Sequence, residues 1–426
     1  MIKAPFNFVP LSDKVYFPDW ADKISHDVPF EDGESGIITI EITNVTPMFI
    51  RDGYAQGEET EWSSHVLDEK GNRHFFIPGT SLKGCFRSVF EILTYSKLNR
   101  YNNASFGYRE FTSQIKGVNY SSDMKRVKSC GWLYYDGEDY KIDECSQGIQ
   151  KIPHKKLREF FPNFSVGKDH ETAEVKQKSL NNDDSYPIVS IDAGDVEYSE
   201  NRNIKTVPAG DYHIVCTGHM EGKKVEYLFS KTSRTIDVEK KVFDSFDTVH
   251  KFTPYYAGKN GKNGFLRERL KKGERIPVFY EKDNTGVVIA MGITRMFKYP
   301  FKNSVQDCIK HITEDHISKK VDLSEAVFGY TSDNNLRGRV HFGNAFCCEE
   351  VNCEEEIEYI LAQPHASYYP LYLKQENNVI SNYSSDNVII AGRKRYRISQ
   401  DGKLWNQRIQ KAARPNWCKG VQKWRE

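Results

Sequence analysis

The sequence predicts an α+β fold on three observations. Ile38, Ile40 and Ile42 alternate with Thr39, Glu41 and Thr43, the period of a half-buried strand. A short apolar strand, Phe75-Phe76-Ile77, passes through Pro78-Gly79 into a stretch where Leu82, Phe86, Val89, Phe90 and Leu93 recur at helical spacing. Strand pairs at 212–216 with 225–229, and at 276–281 with 286–293, are joined by the turn residues Glu221-Gly222 and Asp283-Asn284-Thr285-Gly286.

Residues 1–35 are an extended arm in which Pro5, Pro10, Pro18 and Pro29 space out Phe6, Phe8, Tyr16, Phe17, Trp20 and Phe30. The strand at 38–42 follows, then a polar loop over 51–74. Thr80 and Ser81 are expected to cap the next helix. Its Leu82/Phe86/Val89/Phe90/Leu93 face should be buried, with Lys83 and Arg87 side by side on another. From about 100 to 230 the pattern weakens and turn residues crowd in, as in Asn181-Asn182-Asp183-Asp184-Ser185. This stretch reads as a large insertion rather than a second autonomous domain. Val238, Val242, Phe246 and Val249 mark a helix after Asp237. Residues 304–328 read as mostly helical up to Phe328-Gly329, and 337–347 as a strand. No internal repeat has a fixed period.

At 426 residues the chain is too long for one ordinary domain, and suits two or one heavily decorated one. Its 60 basic and 59 acidic residues exclude a globally basic nucleic-acid coat and an acidic tail protein. The near-neutral total hides a polarised chain. Residues 391–426 carry eleven Lys or Arg against two acids, so this segment is +9 and the other 390 residues are −8. Tyr396, Trp405, Trp417 and Trp424 interleave with those cations. The longest apolar stretch, Val287 to Met291, is far short of a membrane span of about 20 residues. The N-terminus has no apolar h-region or cleavage site. Nine cysteines without any C-x-x-C read as reduced thiols in a cytoplasm, with no structural metal expected.

Three groups of residues could carry chemistry. A Pro-Gly turn feeding a capped helix offers backbone N–H donors and a positive dipole end, to which Thr80, Ser81, Lys83 and Arg87 add donors and charge. This is either a phosphate cradle or an ordinary strand–turn–helix with solvated cations, and the residues alone do not choose. The spacing is not that of a nucleotide-triphosphate P-loop. The basic aromatic C-terminus suits single-stranded RNA, with cations on the backbone and rings under the bases, in preference to an acidic protein partner. Acids at Asp52, Glu58, Glu59, Asp68 and Glu69 could hold a divalent metal beside an RNA phosphate, or simply solubilise a loop. His26, His65, His74 and His341 are isolated. No hydrolase, metalloprotease or dinucleotide fingerprint is present.

Phe76-Ile77-Pro78-Gly79-Thr80-Ser81-Leu82-Lys83-Gly84-Cys85-Phe86-Arg87 resembles the hallmark I-P-G-[ST]-S-[LI]-K-G segment of the RAMP superfamily of CRISPR-associated proteins. Ala4-Pro5-Phe6-Asn7-Phe8-Val9-Pro10-Leu11, with Ser25-His26-Asp27 and Gly33-Glu34-Ser35-Gly36 after it, is similar to the opening arm of one subfamily. Phe328-Gly329 followed by Gly338-Arg339-Val340-His341-Phe342-Gly343-Asn344-Ala345 is similar to the family's "F-G … R-V-x-F-x-D-A" segment, with Asn344 in place of its Asp. Tyr369-Pro370-Leu371-Tyr372-Leu373 and Gly392-Arg393-Lys394-Arg395-Tyr396 also fit that subfamily.

The resemblance implies a ferredoxin-like (RNA-recognition-type) core with large insertions. Residues 36–100 and 231–390 would form this core, 101–230 the insertion, 1–35 the arm, and 391–426 the basic C-terminal segment. It implies a cytoplasmic guide-binding subunit of a type III-like CRISPR effector in antiviral defence. Its partners would be guide RNA, target RNA and sister RAMP subunits, with no membrane involved. Thr80, Ser81, Lys83 and Arg87 would meet phosphate, Arg337 and Arg339 would extend the basic track, and Arg393, Lys394, Arg395 and Trp405 would hold RNA or a neighbouring subunit. Binding needs no cofactor. Family members that cut RNA use an Asp in the loop before I-P-G, but the equivalent position falls near Ser63. Cleavage with Mg2+ or Mn2+ would therefore fall to Asp52 or Asp68, and metal-independent cleavage of a guide precursor to a histidine such as His26 or His65. A scaffold that binds no RNA is the remaining alternative. The chain stops without the Gly-rich loop the family pattern places near the C-terminus, as a truncated or split member would.

Overall fold

The fold is that of a computed structural model. It describes residues 6–44, 48–51, 63–109, 118–165, 173–180, 190–192, 196–200, 203–218, 222–251, 256, 265–331, 335–349, 351, 357–359, 365–376, 380–396 and 422–424. The chain divides into two compact units: Met1–Asn102, Gln306–Gln375 and Asn387–Glu426 form the first, and Asn103–Val305 and Glu376–Asp386 the second. The sheets are antiparallel and mixed with helices, the α+β class expected.

The second unit is built around a five-stranded sheet ordered Thr232–Val238, Tyr140–Cys145, Ser129–Tyr135, Ile276–Lys282, Val288–Gly292. Alternation along its strands sends side chains to opposite faces. Val278 and Tyr280 join Leu133 and Ile142 in a cluster with Phe243, Phe246, Leu266 and Leu270 from the helices Lys240–His250 and Phe265–Lys271. Phe279 and Trp132 instead join Tyr120, Met124, Phe229 and Phe297. A four-stranded sheet runs Gln150–Pro153, Val225–Ser230, Asp211–Val215, Ser190–Asp192 over a third apolar cluster. Both hairpins and the helix after Asp237 form where their patterns place them. At 276–292 the turn is closed by Asp283 Oδ1, which accepts from the Thr285 and Val287 amides at 2.9 and 3.0 Å. One buried carboxylate, Glu226, accepts from His154 Nε2, Lys176 Nζ, Lys223 Nζ and the Thr217 amide.

In the first unit, Arg73–Ile77 pairs on one side with His65–Leu67 and on the other with Ala345–Phe346. It leads into the Gly79–Leu93 helix. The arm strand Phe6–Val9 pairs with Arg393–Tyr396. The expected helical region is three short pieces, Val305–Lys310, Glu314–Ile317 and Leu323–Phe328, the last begun by a reciprocal Asp322/Glu325 capping box. No helix among the described residues is long and apolar enough to cross a membrane.

Four expectations are corrected here. The alternating segment at 38–42 forms no strand. Alternation marks a face that needs a partner, and no described segment supplies a ladder, so Ile38 stays 86 % and Ile40 50 % exposed. Thr80 and Ser81 do not cap the helix but sit in its first turn, because extended Pro78 occupies the N-cap position. The Leu82/Phe86/Val89/Phe90/Leu93 face is not the buried one. Phe86, Val89 and Leu93 are exposed, while Gly79, Arg87 and Glu91 are the buried residues. Finally, the strand expected at 337–347 is reduced to Leu336–Arg337 and Ala345–Phe346, with irregular chain between them.

Candidate nucleic-acid interface

The site begins with how the Gly79–Leu93 helix is seated. Gly79 lies so close to the chain at Phe342 that a Cβ would collide with the Phe342 carbonyl oxygen. This approach requires glycine whatever the helix propensity. The Gly79 amide donates to Asn344 Oδ1 at 2.9 Å, and the Ser81 and Leu82 amides both donate to the Pro78 carbonyl. Most first-turn donors are thus satisfied within the protein, and only the Thr80 amide has no partner among the described residues. The helix N-terminus is not the open row of amides that its sequence suggests. Thr80 and Ser81 are exposed beside it.

What lies next to it is a basic pocket. His26, Arg337, Gly338, Arg339 and His341 line an open cavity of about 290 Å³. Lys83 reaches the same place, since a Cβ built on Gly338 would stand 3.0 Å from Lys83 Nζ. Arg337, Arg339, His26 and His341 are all exposed. His26 Nε2 is 2.8 Å from the Arg337 carbonyl oxygen, so the arm is tied to the rim of the pocket. The Arg339 guanidinium stands over the Phe30 ring of that arm at 5.4 Å. Among the described residues no carboxylate lines the cavity. A concave surface with two guanidiniums, an ammonium and two imidazoles suits a phosphate-bearing ligand.

Four of the expected residues, Lys83, Arg337, Arg339 and His26, therefore converge. His341 joins them, although its sequence context made it one isolated histidine among several. Arg87 is not at the surface. It is 5 % exposed, with Nε 2.9 Å from Glu91 Oε1, Nη1 2.9 Å from the Gly329 carbonyl oxygen and its charge over the Phe328 ring. Arg393 reaches the same carboxylate, donating to Glu91 Oε2 at 2.6 Å and to the carbonyls of Ser96 and Lys97. Burial lowers the Arg393 pKa from its ordinary value, opposed by the attraction of Glu91. Arg395 donates to Ser88 Oγ, and Lys394 is exposed with its ammonium 5.3 Å above the Phe6 ring.

The remaining candidates lie elsewhere. Asp68 closes the turn between His65–Leu67 and Arg73–Ile77, accepting from the Lys70 and Asn72 amides and from Asn72 Nδ2. Those bonds, Asn72 first, hold its carboxyl at about 2. His65 Nδ1 is 2.8 Å from the Ser63 carbonyl oxygen and its ring packs on Phe75. Asp52 and Trp405 lie outside the described residues. Among the described residues no group of three His, Cys, Asp or Glu side chains is placed to hold a metal.

A family model described as RAMP superfamily matches residues 41–417. No curated protein matches the chain.

Proposed function

The chain belongs to the RAMP superfamily, with the family's ferredoxin-like α+β fold and, by that membership, the character of a CRISPR-associated effector-complex subunit; from this premise we propose that it is a guide-binding subunit of a type III-like, RNA-targeting complex. The observation that carries the proposal is the convergence of Lys83, Arg337 and Arg339 on a pocket that no carboxylate lines among the described residues, beside the first turn of the Gly79–Leu93 helix. Such a pocket holds a backbone phosphate without reading a base, which is how a protein grips a guide whose sequence varies. Exposed Thr80, Ser81 and Lys394 extend the polar surface along which the RNA runs. Sister RAMP subunits and target RNA complete the cytoplasmic assembly.

The test is to express the protein beside its genomic neighbours and sequence the RNA that copurifies. Short RNAs sharing one constant repeat-derived end are expected. A nucleic-acid-free preparation that also ignores added RNA at low salt would overturn the reading and favour the non-RNA scaffold. Lys83→Ala with Arg339→Ala should weaken binding and flatten its salt dependence by about 0.7 for each phosphate left without its cation.

One observation favours a second reading. His26 and His341 line the same pocket as the two arginines, an arrangement that can move protons at an RNA 2′-hydroxyl and its phosphate without a metal. Cleavage of a guide precursor that survives EDTA, leaves a cyclic phosphate end and is lost in His341→Ala would establish it. Cleavage abolished by EDTA would instead point to an acid such as Asp52.

A further inference from the structure

The sequence pairs Arg87 with Lys83, four residues earlier on the same helix, as two phosphate ligands. The structure separates them. Lys83 reaches the pocket, whereas the Arg87 guanidinium is enclosed by Glu91, the Gly329 carbonyl oxygen and the Phe328 ring. Gly329 is the residue that pairs with Arg337, the first arginine of the pocket. Its φ of +80° and its closeness to Leu336 and Gly338 leave no room for a side chain. The neighbouring Phe328 carbonyl is equally close to Gly338, and the Arg339 amide donates to the Val327 carbonyl at 2.9 Å. The Phe328–Gly329 corner therefore sets the path of the chain from Arg337 to Arg339, and Arg87 is the side chain that holds this corner against the helix.

We infer that Arg87 is a positioning residue that never touches RNA: locked by Glu91, it fixes the Gly329 corner and through it the spacing of Arg337 and Arg339 across the pocket. This rests on the guide-binding reading of the pocket. Glu91 has a second guanidinium on its other oxygen, that of Arg393 in the strand paired with the N-terminal arm. The Arg87–Glu91–Arg393 triad thus ties the C-terminal basic strand, the helix and the pocket corner together. It commits two cations to structure in a molecule whose cations would otherwise be assigned to RNA.

The experiment measures binding of a labelled single-stranded RNA of mixed sequence to the full chain over a series of salt concentrations. Wild type, Lys83→Ala, Arg87→Met and Glu91→Gln are compared. Lys83→Ala should lower the slope of log affinity against log salt by about 0.7, the signature of one single-strand phosphate that is no longer neutralised. Arg87→Met should weaken binding by about tenfold at every salt concentration and leave the slope unchanged, because the number of counterions released stays the same. A slope lowered as much as in Lys83→Ala, or an unchanged affinity, overturns the inference.

Glu91→Gln gives a test of opposite sign that does not depend on Arg87→Met folding. If Glu91 holds Arg87 in place, neutralising it weakens RNA binding. If Arg87 is an RNA ligand restrained by Glu91, neutralising it strengthens binding and steepens the slope, which overturns the inference. Wild-type protein that binds no RNA at any salt concentration defeats the guide-binding reading itself, an outcome distinct from any of these.

Discussion

Different interactions hold each of the two units of this chain together. In the second, three apolar clusters fill the space within and beside two sheets, and among the described residues all of their members come from that unit. Even its most deeply buried carboxylate among the described residues, Glu226, is surrounded by four donors. The first unit contributes to none of the three clusters. Its central helix is seated by a close glycine approach, Asn344 and an arginine–glutamate–arginine triad, while Phe86, Val89, Leu93, Ile37, Ile38, Ile40 and Ile42 are all exposed. The unit that follows the ordinary rules of burial is scaffold. The unit that breaks them carries the candidate site, as expected where surface is reserved for a ligand or a partner.

That contrast can be broken at several points. Phe279 is fully buried between the rings of Tyr227 and Phe229. Phe279→Ala should cost about 3–5 kcal/mol in chemical denaturation, and below the transition RNA affinity should stay at the wild-type level. A loss under about 1 kcal/mol would mean the second unit is no better packed than the first. Gly79→Ala should cost less, about 1–3 kcal/mol, as the Phe342 chain is pushed aside, yet it should reduce RNA binding because the displaced chain borders the pocket.

His250 sharpens the comparison through pH. Burial, opposed by the Phe246 carbonyl at its Nδ1, lowers it from the ordinary 6.5 to about 4, so it stays neutral in the folded state. The unfolded chain takes up a proton as pH falls below 6.5, and the folded chain does not until about 4. Stability should therefore fall through that window and level off below it, with no contribution above 6.5. Thermal melts from pH 7 to 4 should show this slope, and His250→Gln should reduce it. The smallest effect is expected at Ile40, half exposed and without a strand partner among the described residues. Ile40→Thr should change stability by no more than about 0.5 kcal/mol, and a larger loss would reveal a burial that the isolated chain does not show.

Legibility in the sequence follows the same divide. The hairpins at 212–230 and 276–292 and the helix at 240–250 are readable because their determinants are local. Asp283 closes its turn with its own carboxylate, and Phe243 and Phe246 fall on a single helical face. In the first unit the helix is readable, but its buried face is not. An apolar stripe outweighs Arg87 and Glu91, although their spacing of four residues is the signal that they would pair. The pocket is half readable. Arg337, Arg339 and Lys83 stand out as cations near two motifs, but nothing near His26 or His341 announces that they meet across the length of the chain. The strands described between residues 129 and 206 are hidden by turn-rich sequence, because segments of three to seven residues leave too little alternation to outweigh their loops.

The tie between the arm and the rim of the pocket also has a consequence in time. His26 meets a carbonyl 311 residues further along, Gly79 a side chain 265 residues further along, and Phe6 pairs with Tyr396. On a ribosome the N-terminal portion emerges first, yet its bonding partners are synthesised after most of the second unit. The strands of the five-stranded sheet are complete by Gly292, before any residue of the Gly329–Arg339 corner exists. The scaffold can therefore be in place while the arm is still waiting, and the pocket at Arg337 and Arg339 takes shape only after it.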